Sequence, residues 1–570
     1  MPEAGGAAGP AAAANAMPSA SAAGPAGAAP RTPAWALLLC ALAGVAHALS
    51  FAPYYLPWLA LIALGVVLGS GLRAAQPRNA FVLGWAFGCG WLGLGLSWIY
   101  ISLHHYGELS APFAALATGA LAAGLALLPG AALAAGAACG PPSSLRRAAA
   151  LAAAWTLAEW LRGVLFTGMP WLSTGYAHTD GPLAGYAPVL GVYGVGAVAA
   201  LVVLIPLWDW QSAAGRGAPA RRRLASAAAA LLLPLALLGL GQGLRGVTWS
   251  QNAGAPIRVR LVQGNIPQDT KFGEGGLDEA TGRYLPALRP GAAASYPQPA
   301  APATSGAVPS DPKPPDLIVL PESAFPIPVN ELPDDLLKVL SDERQRGGAA
   351  LIFGAFVVEP RFRYFNSAVG LGPESVEPQR YSKRHLVPFG EFIPFGFRWF
   401  VDLLHIPIGD QEQGDEYQAP MALAGQRIAV NICFEDLFGG EILDAWHDPQ
   451  RAPTMLLNLS NLAWFDDSIA LPQHLQISRM RALETARPLL RATNTGITAI
   501  IDAQGRVTHQ LPALTQALLE GSVQGTTGNT PFIRTGNRPI LLLSALVLLV
   551  AAAVPGRNGK RGGARSTPRA

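Results

Sequence analysis

The chain has 570 residues and four cysteines. Only Cys433 falls in a stretch polar enough to sit in water; Cys40, Cys89 and Cys139 lie in strongly apolar surroundings. A lone thiol has no disulfide partner in its own domain and is a candidate for reactivity, the alternative being a buried structural cysteine. Its setting favours chemistry. Ile428–Cys433 reads as a β-rich run that Cys433 closes, followed by Phe434-Glu435-Asp436. Open α/β sheets present functional groups at strand ends. Leu317-Ile318-Val319-Leu320-Pro321-Glu322 likewise puts a carboxylate just past a strand. The segment Tyr381–Glu391 carries Lys383, one of five lysines against 35 arginines. A lysine kept in so arginine-rich a chain points to a need for a compact ammonium. Taken singly, Lys383 would pass for a surface charge and Glu322 for a helix N-cap acid.

These residues need a scaffold. β-rich runs recur at Arg258–Val262, Leu317–Leu320, Leu351–Val357, Ile428–Cys433, Met455–Leu459 and Ile497–Ile501. Polar helical stretches such as Glu331–Arg346 and His474–Arg487 lie between several of them. Alternation of this kind predicts an α/β domain on a central sheet, spanning 256–531. Residues 288–315 are dominated by Pro, Ala, Ser and Gly and are expected to form a flexible insertion within it.

The rest of the chain has another solvent. Ala34–Arg245 holds 14 charged residues in 212, and Gly246–Ala570 holds 60 in 325. The first stretch is therefore expected to be a membrane block. A bilayer takes about 20 apolar residues per helix. Seven spans are predicted in 34–245, at about 34–51, 56–72, 80–103, 111–138, 147–165, 186–208 and 224–243, and an eighth at 539–555 within 538–555. The fifth carries Glu159 and Arg162, close enough on a helix to pair. Trp35, Trp58, Trp85, Trp91 and Trp98 are candidate interface anchors. His104, His105 and Glu108 read as loop residues. Residues 1–33 form an Ala/Pro/Gly-rich tail expected to be disordered, and 556–570 a basic tail.

Basic residues orient the block. Arg73 and Arg78, Arg146 and Arg147, Arg216 with Arg221–Arg223, and the tail beyond Arg557 follow the even-numbered spans. The loops after spans one and three hold no Lys or Arg, and the loop after span five at most Arg162. Positive charge marks the cytoplasmic side. Both termini are then cytoplasmic and the α/β domain lies outside. A net charge of +4 gives no nucleic-acid footprint.

Glu322, Lys383 and Cys433 together resemble the Glu-Lys-Cys triad of the nitrilase, or carbon–nitrogen hydrolase, superfamily. With the membrane block, the chain resembles the apolipoprotein N-acyltransferase family of bacterial envelopes. The matching segments are Val262–Gln268, Leu320–Ala324, Lys383–Glu391, Asn431–Asp436, Ala492–Gly496 and Thr530–Asn537. The resemblance implies an integral-membrane bundle of eight transmembrane helices with a nitrilase-like α-β-β-α sandwich on its periplasmic face, in the bacterial inner membrane. It implies a monomer that moves an acyl chain from a phospholipid, phosphatidylethanolamine-like, to the α-amine of a diacylglyceryl apolipoprotein, ping-pong through a cysteine thioester. Glu322 would be the proton carrier, Lys383 the oxyanion partner with the backbone N–H of Phe434, and Glu391 and Glu435 supporting acids. Trp464, Phe465 and Phe272 would line the acyl path.

The chain departs from the family pattern twice, at Phe272 for a usual Trp and at Phe434 for a usual Tyr, losing a hydroxyl at the second. A membrane-bound amidase, with water attacking the thioester, is the alternative reading. No cofactor or metal is implied, and the histidines show no zinc-like spacing.

Overall fold

A computed structural model describes residues 32–213, 220–297, 313–373, 377–394, 396, 398 and 411–554. Most of the N-terminal tail, Arg216, the centre of the Pro-rich insertion and the basic tail lie outside the described residues.

Strand residues in the soluble domain alternate between two apolar layers, so both faces of each sheet are buried. The strands are β1 (Gln251–Asn252), β2 (Ile257–Gln263), β3 (Leu317–Val319), β4 (Ala350–Glu359), β5 (Arg363–Leu371), β6 (Gln379–Ser382) and β7 (Met421–Leu423), then β8 (Gln426–Ile432), β9 (Met455–Ser460), β10 (Leu489–Thr493), β11 (Ala499–Ile501), β12 (Val507–Gln510), β13 (Ala517–Val523) and β14 (Thr526–Thr527). Twelve of them form two six-stranded sheets, ordered β13-β2-β3-β4-β5-β6 and β12-β11-β10-β9-β8-β7. β2, β3 and β4 are parallel, as are β8, β9 and β10; the flanking strands are antiparallel.

Leu317, Val319 and Ile352 meet Ile428, Val430, Ile432, Leu457 and Leu459 between the sheets. The intervening Ile318, Leu351 and Phe353 turn outward to Ala280, Tyr284, Leu336 and Leu340 of the helices Gly276–Leu288 and Asp334–Gly347. On the other sheet Ala429, Leu456 and Leu489 turn outward to Leu475 and Ala482 of the helix Ala470–Thr485. This is a four-layer α-β-β-α sandwich. Continuous apolar runs produce it, because a strand buried on both faces needs apolar residues at nearly every position.

Strands at 363–371, 379–382, 421–423, 489–493, 507–510 and 517–523 escaped the sequence reading. Polar residues such as Asn366, Arg380 and Arg491 interrupt several of these runs; Asn366 and Arg491 find buried polar partners, and Arg380 pairs with Glu359 at the surface. The expected flexible insertion starts too early: Ala292 and Tyr296 pack with Leu288 against the outer helices. Their apolar surface covers the end of the Gly276–Leu288 helix, which a compositional reading of Ala and Pro does not reveal.

The membrane block is built from apolar helices at close quarters. A Cβ on Gly44 would lie 2.0 Å from the Phe87 carbonyl oxygen, and one on Gly90 would lie 2.1 Å from that of Ala41. Only glycine lets Ala34–Ala48 and Pro77–Gly95 approach so closely, the packing mode of helices in lipid. Among the described residues three helical stretches are long and apolar enough to cross a membrane: Ala111–Ala138, Pro182–Ser212 and Leu224–Arg245. A fourth is formed if Pro77–Gly95 and Trp98–Tyr106 count as one span bent by 53°. Ala34–Ala48, Pro57–Arg73 and Arg538–Ala553 are apolar but shorter. Length and composition alone thus show three or four crossings among the described residues.

Several expectations are corrected here. The bend falls at Leu96-Ser97, beside Gly95, whose missing side chain makes room for Leu172. The fifth helix runs Leu145–Arg162 and stops short of 165. Glu159 accepts from Thr174 N and Oγ1, while Arg162 donates to the Met169 and Trp171 carbonyls. Both side chains thus bond the stretch Met169–Thr174 that follows the α-helix rather than each other. That stretch carries main-chain groups that need partners away from water. Trp35, Trp58 and Trp85 are exposed, whereas Trp91 and Trp98 are buried in the bundle core and are not interface anchors. His104 and His105 sit in a π-helical turn, Ser102–Tyr106, not a loop.

Candidate active site

Two sheets contribute to one site. Glu322 lies three residues beyond β3, Cys433 directly follows β8, and Lys383 directly follows β6. The ends of β3 and β8 are carboxyl ends of parallel strands, where backbone groups and loop residues are free to face a ligand.

The Glu322 turn is pinned to β4. Leu320 N donates to the Ile352 carbonyl, Gly354 N to that of Pro321, and Ala324 N to that of Gly354. A Cβ on Gly354 would stand 2.5 Å from Glu322 Cα, so this strand position requires glycine. The Glu322 carboxylate is buried at 6% exposure. Its Oε2 accepts from Asn461 N at 2.6 Å and its Oε1 from Asn366 Nδ2 at 2.8 Å. Lys383 Nζ stands 3.7 Å from Oε1.

Lys383 is 1% exposed and bonds Glu391 Oε1 at 2.7 Å. Burial alone would lower its ammonium, but Glu391, Glu322 and Cys433 outweigh it and raise the pKa above the ordinary lysine value. It is a fixed cation. Glu391 is held in turn by Asn366 Nδ2 at 3.1 Å and by Val387 N at 2.8 Å. Asn366 thus bridges both carboxylates that flank the lysine.

Cys433 is partly buried and has φ 52°, the left-handed region that costs a side-chain-bearing residue about 1–2 kcal/mol. Such conformations persist where the surroundings over-determine them, often at functional sites. Burial and the nearby Glu322 push its thiol up, Glu391 adds to that, and Lys383 and Arg491 pull it down. The resting group is a neutral thiol that a base must deprotonate as it reacts.

Glu435 does not bond the Lys383 ammonium. Its Oε2 accepts from Ile432 N at 2.6 Å, and its Oε1 from Arg384 N at 2.7 Å and His385 N at 3.1 Å. Both oxygens lie 3.0 Å from Tyr381 Oη. It therefore stitches the backbone that follows Lys383, and the Tyr381 side chain that precedes it, to the turn that carries Cys433. Burial raises its pKa, opposed by those backbone N–H groups and by Lys383. The Phe434 ring packs 5.2 Å from Phe438 and 5.7 Å from His385, in the apolar cluster shared with the membrane helices.

The three aromatic candidates lie apart. Phe272 is 48% exposed, with its ring 6.2 Å from Phe356. Trp464 is 41% exposed and meets Tyr106 edge-on at 5.6 Å. Phe465 packs against Trp98 at 4.6 Å, within the seam between domain and membrane block. Tyr106 Oη and His105 Nδ1 both bond Asp466, the residue after Phe465.

Sequence reasoning missed Asn366, Asn461 and Lys271. The first two offer no signal beyond an amide in or after a strand. Lys271 does: it is another of the five lysines. It is fully buried, and its Nζ donates to the Glu322 carbonyl at 3.2 Å. Burial lowers its pKa to about 7, against the opposing pull of Glu322. Among the described residues no group of three His, Cys, Asp or Glu side chains could hold a metal ion.

The chain matches two family models: the apolipoprotein N-acyltransferase N-terminal domain over residues 43–205 and the carbon–nitrogen hydrolase over residues 258–532. Among curated relatives it is 44% identical to an apolipoprotein N-acyltransferase of Ralstonia nicotianae, covering 91% of this chain and 94% of the relative. It is also 44% identical to one of Bordetella bronchiseptica, covering 93% and 98%. A third, from Nitrosomonas europaea, is 40% identical over 91% of this chain and 97% of the relative.

Proposed function

The chain belongs to the apolipoprotein N-acyltransferase family of membrane acyltransferases, and on that premise we propose a ping-pong reaction at Glu322, Lys383 and Cys433. The donor is a phospholipid, phosphatidylethanolamine-like, and the acceptor is the α-amine of a diacylglyceryl apolipoprotein. The observation that carries this reading is the placing of Lys383 Nζ between two carboxylates, 2.7 Å from Glu391 and 3.7 Å from Glu322, at the strand ends that hold Cys433.

In the first half-reaction Glu322 takes the Sγ proton as sulfur attacks the ester carbonyl. The ester C–O bond breaks, and the lysophospholipid oxygen leaves with the proton from Glu322. The acyl group remains as a Cys433 thioester. In the second, the α-amine attacks that thioester and passes a proton to Glu322. The C–S bond breaks, and sulfur recovers the proton. Ester plus amine has become alcohol plus amide. Lys383 and the Phe434 N–H stabilise the oxyanion of each tetrahedral intermediate. Glu391 fixes the Lys383 ammonium, and Glu435 fixes the backbone around it. Trp464, Phe465 and Phe272 border the acyl path.

The membrane placement follows the same premise. We read eight crossings, counting the three short apolar helices and Leu145–Arg162 as spans that tilt little or thin the bilayer locally. Domain limits of 34–245 for spans one to seven, 256–531 for the catalytic unit and 538–555 for span eight go with this reading. Both termini face the cytoplasm, the catalytic unit faces the periplasm, and one chain suffices. Acyl chains cross water at about 0.8 kcal/mol per CH₂, so a site anchored at both ends to the bilayer can take lipid laterally.

The test is the acylation state of a reporter lipoprotein in cells depleted of their own N-acyltransferase. Expression of this chain should add one amide-linked acyl chain, read by mass spectrometry. Cys433→Ala and Glu322→Gln should add none. A reporter that stays diacylated with the parent chain present in the membrane would overturn the assignment.

A further inference from the structure

The carbonyl end of the Cys433–Phe434 peptide is held by two buried side chains. His474 Nε2 lies 3.1 Å from the Cys433 carbonyl oxygen, and Asn458 Nδ2 lies 3.3 Å from it. On its other side the imidazole meets Arg491 Nη2, 2.8 Å from Nδ1. A guanidinium has donors only, so Nδ1 must accept. A neutral ring then carries its proton on Nε2, toward the Cys433 carbonyl. Burial, with Arg491 beside it, pushes His474 well below the ordinary histidine range and keeps the ring neutral.

Arg491 is itself set in place. Its Nη1 donates to Asn458 Oδ1 at 2.9 Å and to Ser478 Oγ at 3.0 Å, with the buried Asp436 carboxylate 3.9 Å away. The His474 ring stacks on Trp171 at 5.5 Å, and the Trp171 indole donates to Gln473 Oε1 at 2.7 Å. Trp171, itself buried, belongs to the stretch Met169–Thr174 of the membrane block. The arrangement thus runs from that block to the peptide bond that follows the nucleophile.

The other end of that peptide is the Phe434 N–H. It lies in the first turn of the short helix Cys433–Leu437, where N–H groups have no acceptor inside the helix. Hydrogen bonds to a peptide carbonyl polarise the same peptide's N–H, by about 10–30% per bond in condensed-phase estimates. We propose that His474, oriented by Arg491, is a positioning residue of the acyl-transfer site that, with Asn458, polarises the Cys433–Phe434 peptide so that the Phe434 N–H binds the developing oxyanion. This rests on reading Cys433 as the nucleophile and the Phe434 N–H as an oxyanion donor. His474 acts through the peptide and touches no reacting atom.

The experiment compares the parent chain, His474→Leu and His474→Gln in lipid nanodiscs. Two rates are read at Cys433 by peptide mass spectrometry: acylation by labelled phospholipid, and alkylation by iodoacetamide. Alkylation builds no oxyanion, so it reports the thiol alone. His474→Leu should slow acylation about 10-fold or more with KM for the lipid unchanged, and leave alkylation within about twofold. His474→Gln keeps a donor for the carbonyl and an acceptor for Arg491, and should recover most of the acylation rate. Should His474→Leu fail to fold, Asn458→Ala removes the other donor to the same carbonyl and should show the same split. Unchanged acylation in the variants, or alkylation falling in step with acylation, would overturn the role of His474. A parent chain that takes no label at Cys433 would instead overturn the thioester reading, and this inference with it.

Discussion

At the scale of single residues, the site is a balance of buried charge. Lys383 stays cationic because two carboxylates outweigh its desolvation, whereas Lys271, opposed only by the pull of Glu322, has its pKa lowered to about 7 by burial. Lys271 in the unfolded chain titrates near an ordinary lysine value, about 10.4. Between about pH 7 and pH 10 the unfolded chain therefore holds a proton that the folded chain does not. Stability from this group rises with pH through that window and is lost as pH falls toward 7. Lys271→Met removes the dependence. The Tm of the variant minus that of the parent should be most positive near pH 7 and shrink as pH approaches 10, measured by thermal unfolding in detergent. A difference that stays flat across the window would contradict the lowered pKa. Glu322 and Cys433 were legible because each follows a recognisable strand, and Lys383 because lysine is rare in this chain, although its own strand at 379–382 was not read. Lys271 was as visible by rarity alone, but nothing in its flanking residues says that its chain turns back toward Glu322.

At the scale of elements, the site depends on a strand that donates no catalytic group. β4 supports the Glu322 turn through the Gly354 main chain, and no side chain fits there. Gly354→Ala would force backbone against backbone, an overpacking cost of about 1–3 kcal/mol. It should lower Tm and reduce acyl transfer at least tenfold, while iodoacetamide still reaches Cys433. Wild-type activity in this variant would mean that the Glu322 turn is not fixed by β4. Short β-rich apolar runs revealed β2, β3, β4, β8, β9 and β11 in the sequence, and with them the α/β layers. The helix Ala470–Thr485 was placed but its role was hidden. It carries His474, Ser478, Arg479, Arg481 and Glu484, all buried, so it reads as polar and solvated. In the fold one side serves the sheet and the other the membrane block, and its charged groups find partners such as the Val192 backbone and Asp180. Burial by tertiary pairing leaves no periodic trace.

At the scale of the whole molecule, one apolar cluster runs from the membrane helices into the catalytic domain. Phe434, Leu437, Phe438, Ile477, Met480 and Leu483 share it with Trp91, Trp155 and Trp171. The turn that carries Cys433 is therefore packed directly on the membrane block, which suits a donor that arrives from the bilayer. The charge contrast along the sequence revealed the two-part plan, but not this joint, because its residues look like ordinary core on each side. Alternating basic loops predict the orientation. Alkaline phosphatase fused after residue 250 should be active, and a fluorescent protein fused after residue 570 should fluoresce in the cytoplasm. The reverse pair of results would invert the molecule and place the catalytic domain in the cytoplasm.

The most direct test of the central claim is a thioester trap. Purified enzyme is mixed with phospholipid labelled in its acyl chain, and the protein is examined by intact and peptide mass. The expected result is one acyl adduct at Cys433, removed by hydroxylamine and discharged by a diacylated lipopeptide, and absent in Cys433→Ala and Glu322→Gln. Acyl transfer to the lipopeptide with no adduct at Cys433, or transfer that survives Cys433→Ala, would contradict the account.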